Sequence, residues 1–201
     1  MSAAVWTKQR LRARLLTLCL IAFLVALSAI PLIALYHAFA PKVVLAPDFT
    51  LVDQDGRPFT LSALRGHPVA LFFGYTHCPD ECPTTLAHLA QAIKAPGVPS
   101  DVHVAFLTVD PERDSPRVLK RYVSLFDPHF IGLTGTRRVM DPVYAGYHVW
   151  TQAVPVHHGP NDYSVAHGTT IYYIARDGSI KGLGSWDDDT PQIARAFQEF
   201  Q

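Results

Sequence analysis

Sulfur is scarce in this chain. Its 201 residues hold 3 cysteines and 2 methionines. Only Cys78 and Cys82 lie beyond residue 40. That excludes a small scaffold stapled by many disulfides. Met140 is the one methionine besides Met1, so it reads as core, and no methionine-rich metal box exists. Net charge is absent too: 17 Lys and Arg balance 17 Asp and Glu. No basic stripe runs along the chain, which excludes the electrostatic footprint of a nucleic-acid binder. There is no internal repeat, which excludes a solenoid.

What the chain has in quantity is apolar residues, 49% of the total, unevenly spread. Residues 15–35, LLTLCLIAFLVALSAIPLIAL, carry no charge. A helix of that length spans a hydrocarbon core of about 30 Å. Lys8, Arg10, Arg12 and Arg14 precede it, and little beyond Lys42 follows it. The positive-inside bias keeps residues 1–14 in the cytoplasm and sends the rest outside. Ala38-Phe39-Ala40 has the form of a cleavage site, but Pro41 follows, and the apolar run exceeds a signal-peptide core. The expectation is therefore an uncleaved transmembrane anchor over 15–35, a tether over 36–48 and one globular domain over 49–201. Cys19 falls inside the anchor. The short basic N-terminus has no long Ser/Arg-rich transit segment, which favours a bacterial inner membrane, crossed once, with the domain in the periplasm.

Within the domain, Asp55-Gly56 sets a hairpin over 49–61. The continuous apolar runs 68–76 and 102–110 read as buried strands. Helical spacing marks 83–93. Ser115 and Pro116 open a helix over 115–126. A strand over 129–135, a helix over 137–147 and an extended piece over 147–154 follow. Residues 169–186 form a second hairpin around Asp177-Gly178, and Asp187–Asp189 precede a last helix over 190–201. Strands alternating with helices predict an α/β domain with a central sheet between helices.

The cysteines stand in FFGYTHCPDECPTT, residues 72–85, where the first buried strand meets the next helix. With Cys78 at the helix start, Pro79 would take the first helical position and both thiols would share a face. A helix N-terminus favours thiolate. A loop closed by three residues constrains the unfolded chain little, so a purely structural disulfide is disfavoured. A thioredoxin-type redox pair has two intervening residues; this chain has three. The segment before the late hairpin, YSVAHGTTIYY, offers His167 where such enzymes carry proline. Two thiolates and one imidazole would make an S2N set, suited to Cu(I) and able to hold Cu(II) or Zn(II).

Three stretches, LFFGYTHCPDECPTTL (71–86), LTVDPERDSP (107–116) and DYSVAHGTTIYYIARDG (162–178), resemble the signatures of the Sco/SenC copper-delivery proteins, in order and spacing. The resemblance covers roughly residues 45–200. It implies a thioredoxin-like fold, with a central mixed sheet flanked by helices behind the transmembrane helix. It implies copper ligation by Cys78, Cys82 and His167, with Cys78 and Cys82 as the redox-active pair. Asp110 would lie near these ligands without binding the metal, raising thiol pKa or orienting a histidine. The implied function is a membrane-anchored copper metallochaperone serving the binuclear copper centre of cytochrome c oxidase. Its implied partners are the oxidase copper-site subunit, a thiol-disulfide reductant and another copper chaperone as donor. A thiol-disulfide reductase, or a redox or copper sensor, is the alternative. One departure is Ala166, where the family often has an acidic residue before the histidine. His77 is read as pointing away from the pair. His157 and His158, in VPVHHGPND, read as a solvated loop, and Phe72, Phe73 and Tyr75 as core and site wall.

Overall fold

The computed structural model describes residues 43–156 and 163–199, with residues 14, 16–23, 25–28, 30, 31 and 35 near the N-terminus. The chain divides into two compact units, Met1–Lys42 and Val43–Gln201. The described residues between 14 and 35 are helical. Among the described residues, no helix is long and apolar enough to cross a membrane. Positions 15, 24, 29 and 32–34 of the expected anchor, and His157 and His158, lie outside the described residues.

The second unit is built on a seven-stranded mixed sheet. Its strands are β1 (Thr50–Asp53), β2 (Pro58–Thr60), β3 (Val69–Gly74), β4 (His103–Thr108), β5 (Ile131–Thr134), β8 (Ile171–Ile174) and β9 (Ile180–Gly184). Their spatial order is β2-β1-β5-β4-β3-β8-β9. The central three are parallel, and the flanking pairs are antiparallel. All six residues of β3 are buried, and five of six in β4. This double-sided burial is what their unbroken apolar runs encode. Gly56 and Gly178 take positive φ, 78° and 81°, in the two hairpin turns read from Asp-Gly pairs.

Helices α1 (Glu81–Ala92), α2 (Pro116–Val123), α3 (Arg137–Gly146) and α4 (Thr190–Glu199) follow the expected order. Asp189 caps α4: the Gln192 N–H donates to its carboxylate at 2.9 Å, and its own N–H donates to Gln192 Oε1 at 2.7 Å. Met140 is fully buried. Phe73, Tyr144, Tyr147 and Tyr172 form an aromatic cluster beside β3, its contacts edge-on except the tilted Phe73–Tyr147 pair.

Two features depart from the sequence reading. First, the extended piece near 150 is half of a separate ribbon. Among the described residues, strand β6 (Thr151–Pro155) pairs only with β7 (Tyr163–His167), with Thr151 opposite His167. Four of five β6 residues are exposed, so no buried alternation marks it in the sequence. Second, Cys78 is not at the helix start. Its N–H donates to Tyr75 O at 3.3 Å, closing a turn, and α1 begins only at Glu81, with Asp80 before it making no side-chain cap bond. Pro79 sits in the bend that separates the two.

Candidate metal centre

The site lies at the carboxyl end of β3. There, β3 pairs antiparallel with β8, with Phe72 opposite Ile171. Chain leaving β3 forwards and chain entering β8 therefore meet at one edge. The first carries Cys78 and Cys82, and the second carries His167 at the end of β7. Topology thus closes a separation of 85 residues, placing His167 Nε2 4.0 Å from Cys82 Sγ.

The two thiols are unlike. Cys82, in the first turn of α1, is fully buried, whereas Cys78 is partly exposed. The Cys82 N–H donates to Cys78 Sγ at 3.5 Å. The Cys78 thiol is lowered to about 6, chiefly by its hydrogen bond with the Cys82 thiol and also by the N–H groups of Cys82 and Asp80. Burial and the Glu81 charge oppose this. Cys82 is pushed up by that same bond to Cys78, by burial and by the Cys78 charge. At neutral pH Cys78 is the thiolate and Cys82 holds the shared proton.

His167 is held in one tautomer. Its Nδ1 lies 2.8 Å from Gly168 O, which can only accept, so Nδ1 carries the proton. The lone pair is then on Nε2, facing Cys82. Burial lowers the imidazole pKa and keeps the ring neutral. An N–H given to a carbonyl is the usual support for a metal-binding imidazole. The Tyr75 ring backs it, edge-on, at 5.8 Å between centroids.

Cys78 and His167 open on a cleft of about 380 Å³, lined also by Tyr75, Glu81 and Trp150, while Cys82 is buried and does not line it. Trp150 is 58% exposed at the rim. Glu81 is the acid whose charge acts on Cys78, Cys82 and His167 alike. It supplies negative charge that Ala166 does not. Neither Glu81 nor Trp150 was singled out from the sequence. Glu81 adjoins Cys82 and was open to notice; Trp150 reaches the cleft only through the β6–β7 pairing.

Asp110 is fully buried. Its carboxylate is paired with Arg113 Nε and accepts the Tyr163 hydroxyl at 2.6 Å. His77 is exposed, its Nδ1 3.2 Å from Thr76 Oγ1. His77, Asp110 and Asp114 lie close enough to hold a cation. Yet Asp114 already accepts Thr76 N–H at 3.0 Å and the Thr76 and Thr108 hydroxyls, each at 2.6 Å. With Asp110 also occupied, both carboxylates are spent on donors.

Residues 39–200 match the SCO1/SenC family. An SCO2-like protein of Rickettsia prowazekii (strain Madrid E) is 34% identical over 84% of this chain and 82% of its own. The mitochondrial SCO2 homolog of Bos taurus is 42% identical over 65% of this chain, a match spanning half of the bovine protein. The copper-bound structure of ScoI from Bradyrhizobium japonicum aligns with a TM-score of 0.69 at 35% identity. That alignment covers 79% of this chain and 100% of that one. The thioredoxin-like α/β domain and these matches together show that the chain belongs to the SCO1/SenC family.

Proposed function

We propose that this protein is a copper carrier that binds the metal through Cys78, Cys82 and His167 and hands it to a copper-site subunit of cytochrome c oxidase. The observation that carries this reading is the convergence of two sulfurs and a neutral, carbonyl-supported imidazole nitrogen, with Cys78 and His167 facing an open cleft. Thiolate with imidazole is a soft donor set that suits Cu(I). The copper-bound relative supports the same cargo.

The residues divide the work. Cys78, already ionised and partly exposed, meets the ion first. Binding then displaces the proton of Cys82, which the cleft releases to water. His167 closes the set without losing a proton. Three donors leave a position open on the cleft side, where an incoming thiolate attaches before a donor of this chain lets go. Copper thereby passes between proteins without being freed. Another copper chaperone would load the site by the same exchange in reverse.

The Cys78–Cys82 disulfide cannot load Cu(I). A partner dithiol must first reduce it, donating two electrons and two protons and becoming a disulfide itself. A second reading follows from the asymmetry of the pair. A partly exposed thiol with its pKa lowered to about 6 beside a buried, protonated one is also the layout of an attacking and a resolving cysteine. On that reading the protein reduces the oxidase cysteines, and His167 is dispensable.

Membrane anchoring belongs to the same proposal. Leu16, Leu18, Leu20, Phe23 and Val25 are each more than half exposed, as lipid contact requires. The preceding arginines favour a periplasmic domain on a bacterial inner membrane.

The deciding experiment titrates the reduced protein with Cu(I) against a chelator, beside His167→Ala. A one-to-one complex weakened about 100-fold without His167 supports the carrier. Binding indifferent to His167 leaves the reductase.

A further inference from the structure

The β6–β7 ribbon carries His167 but, among the described residues, shares no strand pairing with the seven-stranded sheet. Its far end lies at Pro155 and Tyr163, where the two strands are opposite each other. At that end one cluster fastens it to the domain. The Tyr163 hydroxyl donates to Asp110 Oδ1 at 2.6 Å. Arg113 pairs with Asp110 through Nε and donates through Nη1 to Tyr163 O at 2.9 Å. The guanidinium also lies 3.6 Å from the Tyr163 ring centroid and 6.0 Å from that of Tyr75, the ring that backs His167. Side chain, carbonyl and ring face of one ribbon residue are all held by one arginine–aspartate pair.

Asp110 and Arg113 sit in the segment that follows β4, next to the sheet's carboxyl edge. Arg113 N–H and Asp114 N–H both donate to Asp110 O, at 3.2 and 3.0 Å. The Asp110 N–H donates to Thr108 Oγ1 at 2.9 Å. The holder is therefore rigid, and the held element is a two-stranded ribbon, a unit of marginal stability by itself.

We infer that Arg113 and Tyr163, with Asp110, form a latch that fixes the ribbon and thereby positions His167 over the cysteine pair. Released, the ribbon keeps only Val165 in the core as a side-chain anchor, and His167, two residues on along the same strand, is held less firmly over the sulfurs while both sulfurs stay in place. The latch residues touch no metal; they act through His167. The inference rests on the copper reading for its consequence, although the mechanical part stands apart from copper.

The test uses the whole chain, Tyr163→Phe as the mild variant and Arg113→Gln as the severe one. In the reduced, copper-free protein, amide hydrogen exchange is followed across the ribbon and across β3 and β4. Tyr163→Phe is expected to speed exchange in residues 151–155 and 163–167 about tenfold and to leave β3 and β4 unchanged. Cu(I) affinity is then measured in wild type, Tyr163→Phe, His167→Ala and the double variant. A loss of about tenfold with His167 present, and under about twofold without it, is expected for a residue acting through the ligand. Equal losses in both backgrounds, or exchange that is unchanged or rises equally in the core strands, would overturn the latch. Failure of wild type to bind Cu(I) would instead remove the copper reading and the latch's role in it, with the exchange result still deciding whether the ribbon is held.

Discussion

Gly74 ends β3 directly beneath Cys82. A Cβ built on Gly74 would stand 2.8 Å from Cys82 Sγ and 2.7 Å from Phe106 Cε2. The seat of the buried thiol exists because this residue has no side chain. Gly74→Ala is expected to cost about 1–3 kcal/mol through overpacking. It should also displace Cys82 and weaken metal binding. Urea unfolding and Cu(I) competition on the same sample check both effects. Wild-type values in both would show that the strand yields without disturbing the thiol.

The thiol asymmetry sets a pH profile. Alkylation of Cys78 by iodoacetamide should rise as pH passes about 6, where the thiol becomes thiolate, and level off by neutral pH. Cys82 should stay unmodified throughout. Cys82→Ala removes the chief cause of the depression, so the midpoint should climb towards the ordinary thiol value of about 8.5. Mass spectrometry of the quenched protein reads both sites.

The same protons appear in copper affinity. Above pH 7 only Cys82 has a proton to lose, so the apparent Cu(I) association constant should rise about tenfold per pH unit. Below about pH 6, Cys78 is protonated as well, and the slope should approach about a hundredfold per unit. A chelator competition series across this range measures the slope. A flat profile would mean that neither sulfur is displaced from its proton.

Asp114 braces the turn that presents Cys78. It is fully buried and accepts from Thr76 N–H and from the Thr76 and Thr108 hydroxyls. Asp114→Ala strands these donors and should destabilise the domain by about 3 kcal/mol. Asp114→Asn, which keeps one acceptor oxygen, should cost less. Thermal unfolding of the two variants gives the comparison.

Much of this was legible in the sequence because it is local. The apolar runs of β3 and β4 encode double-sided burial, and the Asp-Gly pairs encode hairpins. The spacing of Cys78 and Cys82 placed two thiols at the end of a buried strand. Local reasoning failed where pairing is remote. β6 is exposed and has no alternation of its own, and it is strand only by pairing with β7. Asp110 finds its partner Tyr163 53 residues later. Whether Cys78 joins the helix is not legible locally, because Pro79 suits a first helical position as well as the bend it occupies. The thiolate preference assigned to helix geometry comes chiefly from the second cysteine instead.

The central claim is that two sulfurs and the His167 nitrogen form one metal site. X-ray absorption at the copper edge of the Cu(I)-loaded protein tests it most directly, with His167→Ala beside it. The account predicts two sulfur scatterers and one imidazole nitrogen in wild type, with the nitrogen lost in the variant. A wild-type spectrum of sulfur alone, or one unchanged by the substitution, would contradict it.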